Sequence, residues 1–537
     1  MTCWRRATSS RGRRHEPGDG QVADACQSVL AGPVADRRRG PPRRRSGGLV
    51  TLLGAAVSTG MGFVLTMVLA RQFGALGAGI VQQAIAAATI GLALGRLGMD
   101  TTAVWLLPRL RRQDPAAARG ACVALIGWAA LGGTAVAGAW LLLDALVGPA
   151  LLGDPRVDRA VSAVAWALPF GSVMMVALAA TRGFGGVVPF NAVGNIAVPT
   201  ARPVVVLAVA ALGGSAAAAA AGWAGVLLPG ALVAVAVMGR RLRRQERSAQ
   251  GRRGPWLPTR AVRRDVLGFG LPRTVSTLLE QSLLWLDVIL VGILVGPAAA
   301  GVYGVASRFV AGGQVVMTAL RIVVAPQFSA RLAADENAEA EELYAVTATW
   351  IVLFGAPVYV LLACFSPTLL GLPGEDFTDG VTAMIVLCAG GLALLAGGNI
   401  QSLLLMTGRS GWAATNKVVV FAVSLVLDLA LIPGWGILGA AVAWTVCMAL
   451  DGVLAAAQVR RFTGIRPAAR RIALALAAAT AAAGLPSLLL LATVGQSVAG
   501  MVAATALTGL VVLALAALGR RQLRLDLLSG LMRRRAR

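Results

Sequence analysis

Apolar residues in this chain do not alternate with polar ones as in a half-buried strand, and they do not form the one-sided stripe of a soluble helix. They run together in stretches of about 20, divided by short polar breaks, and a helix of that length crosses roughly 30 Å of hydrocarbon. Fourteen such stretches stand near 49–70, 78–98, 120–142, 160–181, 190–212, 216–238, 271–294, 299–323, 344–366, 380–405, 412–432, 436–457, 472–494 and 497–518. The predicted fold class is all-α, a polytopic membrane protein of about 14 transmembrane helices. Composition points the same way: 57% of the 537 residues are hydrophobic, 14% are charged, and mean hydropathy is +0.74, far more apolar than a soluble chain of this length.

A formal charge of +25 suggests a nucleic-acid partner until the charges are placed. Of the 49 basic residues, Arg96, Arg202, Arg273, Arg308, Arg321 and Lys417 lie within apolar stretches, and Arg71, Arg156 and Arg159 lie on one set of alternate loops. All the rest lie on the opposite loops and on the tails. This is the positive-inside asymmetry and not a groove for phosphodiester, so no nucleic-acid partner is expected. An even number of spans places both termini on one side. "RRLRRQERSAQGRRGPWLPTRAVRR" (240–264) and "RRFTGIRPAARR" (460–471) share that side. It is therefore expected to be the cytoplasm, with the protein in the plasma or inner membrane.

The organisation expected is a disordered basic tail over 1–47, a six-helix lobe over 48–239, a cytoplasmic linker over 240–265 and a second six-helix lobe over 266–459. Two further helices over 460–519 and a basic tail over 520–537 follow. The tail 1–47 lacks the small-residue cleavage site of a signal peptide. An internal repeat supports two lobes. "FGALGAGIVQQA" after the first span matches "VGPAAAGVYGVA" after the seventh, with Gly79 against Gly301, and "GSAAAAAAGWA" from Gly214 matches "GILGAAVAWTV" from Gly436. Both pairs are 222 residues apart. Lobes of six helices insert in the same orientation, so a pseudo-two-fold axis along the membrane normal is expected, with a binding site between them near the midplane. Cys3, Cys26, Cys122, Cys364, Cys388 and Cys447 show no paired spacing, and His15 is the only histidine. No disulfide framework, metal site or histidine-based catalysis is expected.

Ionisable groups inside the apolar stretches are the candidate chemistry. Arg273, Glu280 and Asp287 follow one another at seven-residue intervals, which places them within roughly 40° on a helix and spreads them over about 21 Å. A charge at the bilayer centre costs about 2.5–3.5 kcal/mol on the insertion scale, so such a stripe is expected to face a bundle interior or water. Snorkelling to the interface accounts for Arg273 as well as a cavity does. A structural pair with Arg308 is the other reading of the two acids. In the fifth stretch Asn191, Asn195 and Arg202 share a face by the same arithmetic, and Pro199 and Pro203 free backbone carbonyls there. An arginine fork at mid-membrane suits a phosphate or diphosphate; the alternative is a carboxylate partner inside the bundle. Asn416 and Lys417 in the eleventh stretch, and Asn399 and Gln401 in the tenth, complete the candidates. Asp100, Asp428 and Arg321 lie near span ends, where interfacial solvation explains them. The acidic stretch 329–344 reads as a solvated face.

Three stretches carry a family resemblance: "LARQFGALGAGIV", "LLWLDVILVGILVGPAAAGVYGVASRF" and "LDLALIPGWGILGAAVAW". In their order and spacing, over about 49 to 457, the chain resembles the polysaccharide-exporter (Wzx-like) branch of the multidrug/oligosaccharidyl-lipid/polysaccharide (MOP) flippase superfamily. The two C-terminal helices resemble fourteen-helix members, which include lipid II flippases. Those typically carry arginine in the first helix, whereas this chain has no charge there before Arg71. The resemblance implies alternating access and a polyprenyl-diphosphate-linked oligosaccharide carried from the cytoplasmic to the outer leaflet. Partners would be membrane lipid and polysaccharide polymerase or glycosyltransferase machinery. Arg202, Arg273, Arg308 and Lys417 would hold the diphosphate, Asn191, Asn195, Asn399 and Gln401 the sugars, and Asp287 and Glu280 protons or sodium, with no other cofactor. The competing class within the superfamily is an ion-coupled drug or cation antiporter, which six basic residues in the membrane interior disfavour. A membrane-embedded glycosyl- or acyltransferase would need a large loop or a His/Asp cluster that this sequence lacks, so no enzyme is expected. A scaffold without transport stays open.

Overall fold

The computed structural model describes residues 45–147, 152–248, 254–334, 336–407, 409–466 and 468–518. The predicted tails 1–47 and 520–537 lie outside these, except for 45–47. The described residues are helical, with no strand among them. Both predicted lobes fall within one compact unit.

The helices of the first half are α1 (Arg45–Gly95), α2 (Met99–Gln113), α3 (Ala117–Val147), α4 (Pro155–Ala165), α5 (Leu168–Gly183), a π-helix over Phe190–Ala197 running into α6 (Val198–Ala211), α7 (Ala216–Gly225) and α8 (Leu227–Ser248). The second half comprises α9 (Arg260–Leu294), α10 (Pro297–Gly312), α11 (Val315–Ala333), α12 (Asn337–Cys364), α13 (Ser366–Gly371), a 3₁₀ turn over Glu375–Gly380, α14 (Val381–Ala396), α15 (Ile400–Met406), α16 (Ser410–Trp435) and α17 (Ile437–Thr463). α18 (Ala469–Thr493) then packs along α12, and α19 (Val498–Leu518) packs on α18. Local chemistry marks the starts: Thr259 Oγ1 accepts from Val262 N at 3.3 Å, and Ser215 Oγ accepts from Ala218 N at 3.3 Å, each satisfying an orphan donor.

Among the described residues eleven helices are long and apolar enough to cross a membrane, twelve when the α4–α5 pair, bent by 48°, is taken as one span. The sequence led us to expect fourteen. One difference is Leu53–Gln113, which counts as a single 61-residue stretch although α1 turns sharply at Gly74 (φ 64°, ψ −174°). That conformation is open to glycine and costly for a residue with a Cβ. The other is the predicted eighth span, which breaks into α10 and α11 around Gly313 and Gln314.

The two halves meet through glycine. A Cβ on Gly79 would strike the carbonyl oxygen of Pro297 and lie 2.7 Å from Gly301 N; a Cβ on Gly301 would strike Ala75 O and lie 2.9 Å from Gly79 N. Ala75 and Pro297 are themselves 222 residues apart, so the contact is reciprocal under the sequence repeat. Side-chain-free positions let these backbones touch. On the same side Arg71 donates from Nε and Nη2 to Leu372 O, both at 3.2 Å. On the Arg-rich side Trp105 of α2 stacks on Phe269 of α9, with centroids 4.6 Å apart and planes 5° apart.

The Arg-rich loops are tied down by specific contacts. Arg119 grips Glu246 through two bonds of 2.8 and 2.6 Å and lies under the Trp256 ring at 4.8 Å, which fastens the linker to the start of α3. The acidic stretch expected to be a solvated face is largely exposed, and its acids are partly paired there. Glu339 meets Arg331 at 3.4 Å, Glu342 meets Arg471 at 3.0 Å, and Glu341 accepts from Arg466 N at 3.2 Å.

Candidate functional site

Arg202 rises from α6 just before Pro203, and its guanidinium lies over the Trp223 ring of α7, 3.9 Å from the centroid. Its Nε is buried without a hydrogen-bond partner. Stacking on indole stabilises the cation without consuming its in-plane donors. The carboxylate partner weighed from the sequence is not there: Arg202 forms no ion pair among the described residues. Asn191 and Asn195, expected on the same face, are committed elsewhere. Asn191 is 1% exposed. Its Nδ2 donates to Thr51 Oγ1 at 3.2 Å and to Val187 O at 2.9 Å, while its Oδ1 accepts from Asn195 Nδ2 at 2.8 Å. Gly54 makes room, since a Cβ there would stand 3.0 Å from Asn191 Oδ1. The asparagines thus clamp α1 to the π-helix.

The stripe on α9 divides. Arg273 and Glu280 approach each other at 3.7 Å with side chains 41% and 46% exposed, a contact of small energetic weight. Glu280 does not join Asp287. Arg308 joins neither acid and lies over Trp285 at 5.4 Å. Asp287 is 6% exposed and accepts from the Tyr303 hydroxyl of α10 at 3.1 Å. Its electrostatic neighbour is Asp428 of α16, the residue that the sequence reading left at the interface. The structure corrects this: Asp428 is 1% exposed, accepts from Ser424 Oγ at 3.3 Å and keeps Oδ1 without a partner. Two carboxylates, a phenol and a hydroxyl therefore share one buried region between α9, α10 and α16.

Lys417 is paired with Asp451 of α17 at 2.7 Å, an acid that the sequence reading passed over. Beside it Asn416 and Gln458 exchange two amide bonds of 2.9 and 2.6 Å. Gln401 reaches Asp451 O at the limiting distance of 3.5 Å. Asn399, 1% exposed, leaves both amide atoms without a partner. The four candidate cations consequently rest on four different partners: Trp223, Glu280, Trp285 and Asp451. A cavity of about 600 Å³ between α1, α3, α4, α5 and α9 is lined by none of the ten predicted residues. Asp451 had a signal available: it stands seven residues before Gln458, the same spacing that singled out the α9 stripe. Trp223 and Trp285 had none, because the contact is made by a ring that hydropathy reads as apolar.

These features define a polytopic helical membrane protein with a half-buried, unpaired Arg202 in the first half and a buried pair of acids, Asp287 and Asp428, in the second. The chain belongs to the family described as polysaccharide biosynthesis protein, whose model matches residues 45–332, and the MatE model matches residues 272–431. A relative described as "Probable low-salt glycan biosynthesis flippase Agl15", from Haloferax volcanii, is 28% identical over 212 residues, covering 38% of this chain and 43% of the relative. The match thus spans less than half of that protein. Among solved structures, one described as the lipid II flippase MurJ in an inward closed conformation has a TM-score of 0.69 at 12% identity, covering 89% of this chain and 99% of the other. A multidrug resistance MATE family transporter of the MOP superfamily, in an inward-facing conformation, has a TM-score of 0.55 at 14% identity, covering 82% and 98%. These two likenesses establish the fold.

Proposed function

We propose that the protein is a flippase that carries a polyprenyl-diphosphate-linked oligosaccharide, a cell-surface polysaccharide precursor, from the cytoplasmic to the outer leaflet by alternating access. Both termini would lie in the cytoplasm, and the chain would reside in the plasma or inner membrane. Family membership and the glycan-flippase relative support this reading. The observation that carries it is Arg202. A guanidinium stacked on Trp223, with a buried Nε lacking any partner, suits a bidentate anionic group such as diphosphate. Arg308, without an ion-pair partner among the described residues, is the next candidate ligand. Lys417 would have to release Asp451 before it could serve.

Asp287 and Asp428 take the coupling role. A proton or a sodium ion between two carboxylates would relieve their mutual repulsion and occupy the orphan Asp428 Oδ1. Glu280, half exposed and beside Arg273, is set aside from that role. The buried acid pair also favours a second reading, a cation antiporter of the same superfamily.

The test uses proteoliposomes with a fluorescent polyprenyl-diphosphate oligosaccharide. Arg202→Ala should slow flipping by about 10- to 100-fold, equivalent to one charge-assisted interaction, while Asp287→Asn should remove the dependence of the rate on pH or sodium. Normal rates in Arg202→Ala would reject the flippase reading. Uptake of organic cations that requires Asp287 but not Arg202 would establish the antiporter instead.

A further inference from the structure

The cavity of about 600 Å³ lies in the half of the membrane away from the Arg-rich loops, behind the residues that flank Asp287. Gly91 and Leu94 of α1 and Trp140 and Leu143 of α3 supply its wall from the first half of the chain, and Leu286 and Ile289 of α9 supply it from the second. Its size is that of a ligand site and not of a packing fault, since interiors hold few voids larger than a water molecule. Water cannot fill it, because an ordered water needs two to four polar partners. The Gln83 side chain offers one free acceptor, Oε1, its Nε2 being engaged with Gly79 O at 3.4 Å. Left empty, the wall would forfeit dispersion contacts along its whole length. Only hydrocarbon is available at that depth. The mouth runs into the bilayer-facing surface: Leu94 and Leu143 at the rim are 40% and 41% exposed, and Leu142 and Leu146 next along α3 are 61% and 75% exposed.

From this continuity we infer that the cavity holds an acyl chain of a bilayer phospholipid, entering between α3 and α9 and completing the packing between the two halves. A phospholipid is present at every lateral face of the protein. The cargo's polyprenyl chain is the less suitable occupant, because α6, which carries Arg202, contributes nothing to the wall. Since α9 forms one wall and α1, α3, α4 and α5 form the others, any rocking of one half against the other reshapes the space, and the bound chain favours the arrangement described here.

The test is photo-crosslinking in proteoliposomes with two probes used separately: a phosphatidylcholine carrying a diazirine near its acyl terminus, and a polyprenyl phosphate carrying one in its chain. Adducts are mapped by peptide mass spectrometry. The phosphatidylcholine probe should label peptides containing Leu143 and Leu286, and Ala139→Phe should reduce that labelling by about tenfold. Ala139 lines the cavity from an exposed position, so the variant fills the space without disturbing the core. Val502→Phe on the exposed face of α19 should leave the labelling unchanged. Phosphatidylcholine adducts spread evenly over exposed positions and indifferent to Ala139→Phe would overturn the inference. So would labelling at these sites by the polyprenyl probe alone.

Discussion

Under the 222-residue repeat, Leu65 stands in the first half where Asp287 stands in the second, Val206 where Asp428 stands, and Arg202 where Ser424 stands. Leu65 is 8% exposed and Val206 is fully buried. One half therefore packs aliphatic side chains where its counterpart buries two acids, and it half-buries a cation where its counterpart has a hydroxyl. A helix packing that succeeds with leucine and valine does not require aspartate, so the acids in the second half are not demanded by the architecture. The same holds for Arg202. Buried ionisable groups are costly in a membrane and are kept for what they bind. On the proposed function, Arg202 is the anion ligand of the first half and the Asp287–Asp428 pair the cation site of the second.

The strongest way to break this comparison is to move an acid across the repeat. Leu65→Asp places a carboxylate in an apolar site of the first half, where Val81 stands in place of Tyr303 and offers it no hydroxyl. A loss of about 3–5 kcal/mol is expected, seen as a large fall in Tm or as no recoverable protein in detergent. An unchanged Tm would mean that the first half tolerates acids as the second does. Next comes Lys417→Ala, which strips Asp451, 7% exposed in its side chain, of its partner; about 1–3 kcal/mol should be lost. The Lys417→Ala/Asp451→Ala double variant should regain at least about 1 kcal/mol relative to the sum of the single variants. Additive losses would show that the pair is not coupled. Tyr303→Phe removes one hydrogen bond from Asp287, and about 1 kcal/mol of stability is expected to go with it. A shift in the ion concentration for half-maximal transport should accompany it if the phenol orients the acid. The smallest effect belongs to Gln401→Ala. Its 3.5 Å contact is at the edge of hydrogen bonding, and Tm should move within the error of measurement.

Much of the fold is legible in hydropathy because a bilayer leaves the chain few choices: every backbone polar group must be satisfied within a helix. The repeat was legible through Gly79 and Gly301, and the structure gives the physical reason, since each glycine admits the other's backbone. The broken eighth stretch was not, because Gly312 and Gly313 end α10 without interrupting the apolar run. At the site, residue type found Arg202, Asp287 and Lys417, but not what they touch. Trp223 lies 21 residues from Arg202, Asp451 lies 34 from Lys417, and Asp428 lies 141 from Asp287. Helical periodicity places residues on a face and carries no information about which neighbouring helix that face meets. Position near a span end misled for Asp428, because α16 runs on to Trp435 and brings the acid inside.

The central claim is that Arg202 recognises an anion, and equilibrium binding to purified protein tests it most directly. Polyprenyl diphosphate and the matching polyprenyl alcohol would be titrated into the natural chain and into Arg202→Ala, with calorimetry as the readout for both. The account predicts that the variant binds the diphosphate about 10- to 100-fold more weakly while the alcohol binds both alike. Equal affinities of the two proteins for the diphosphate would contradict it.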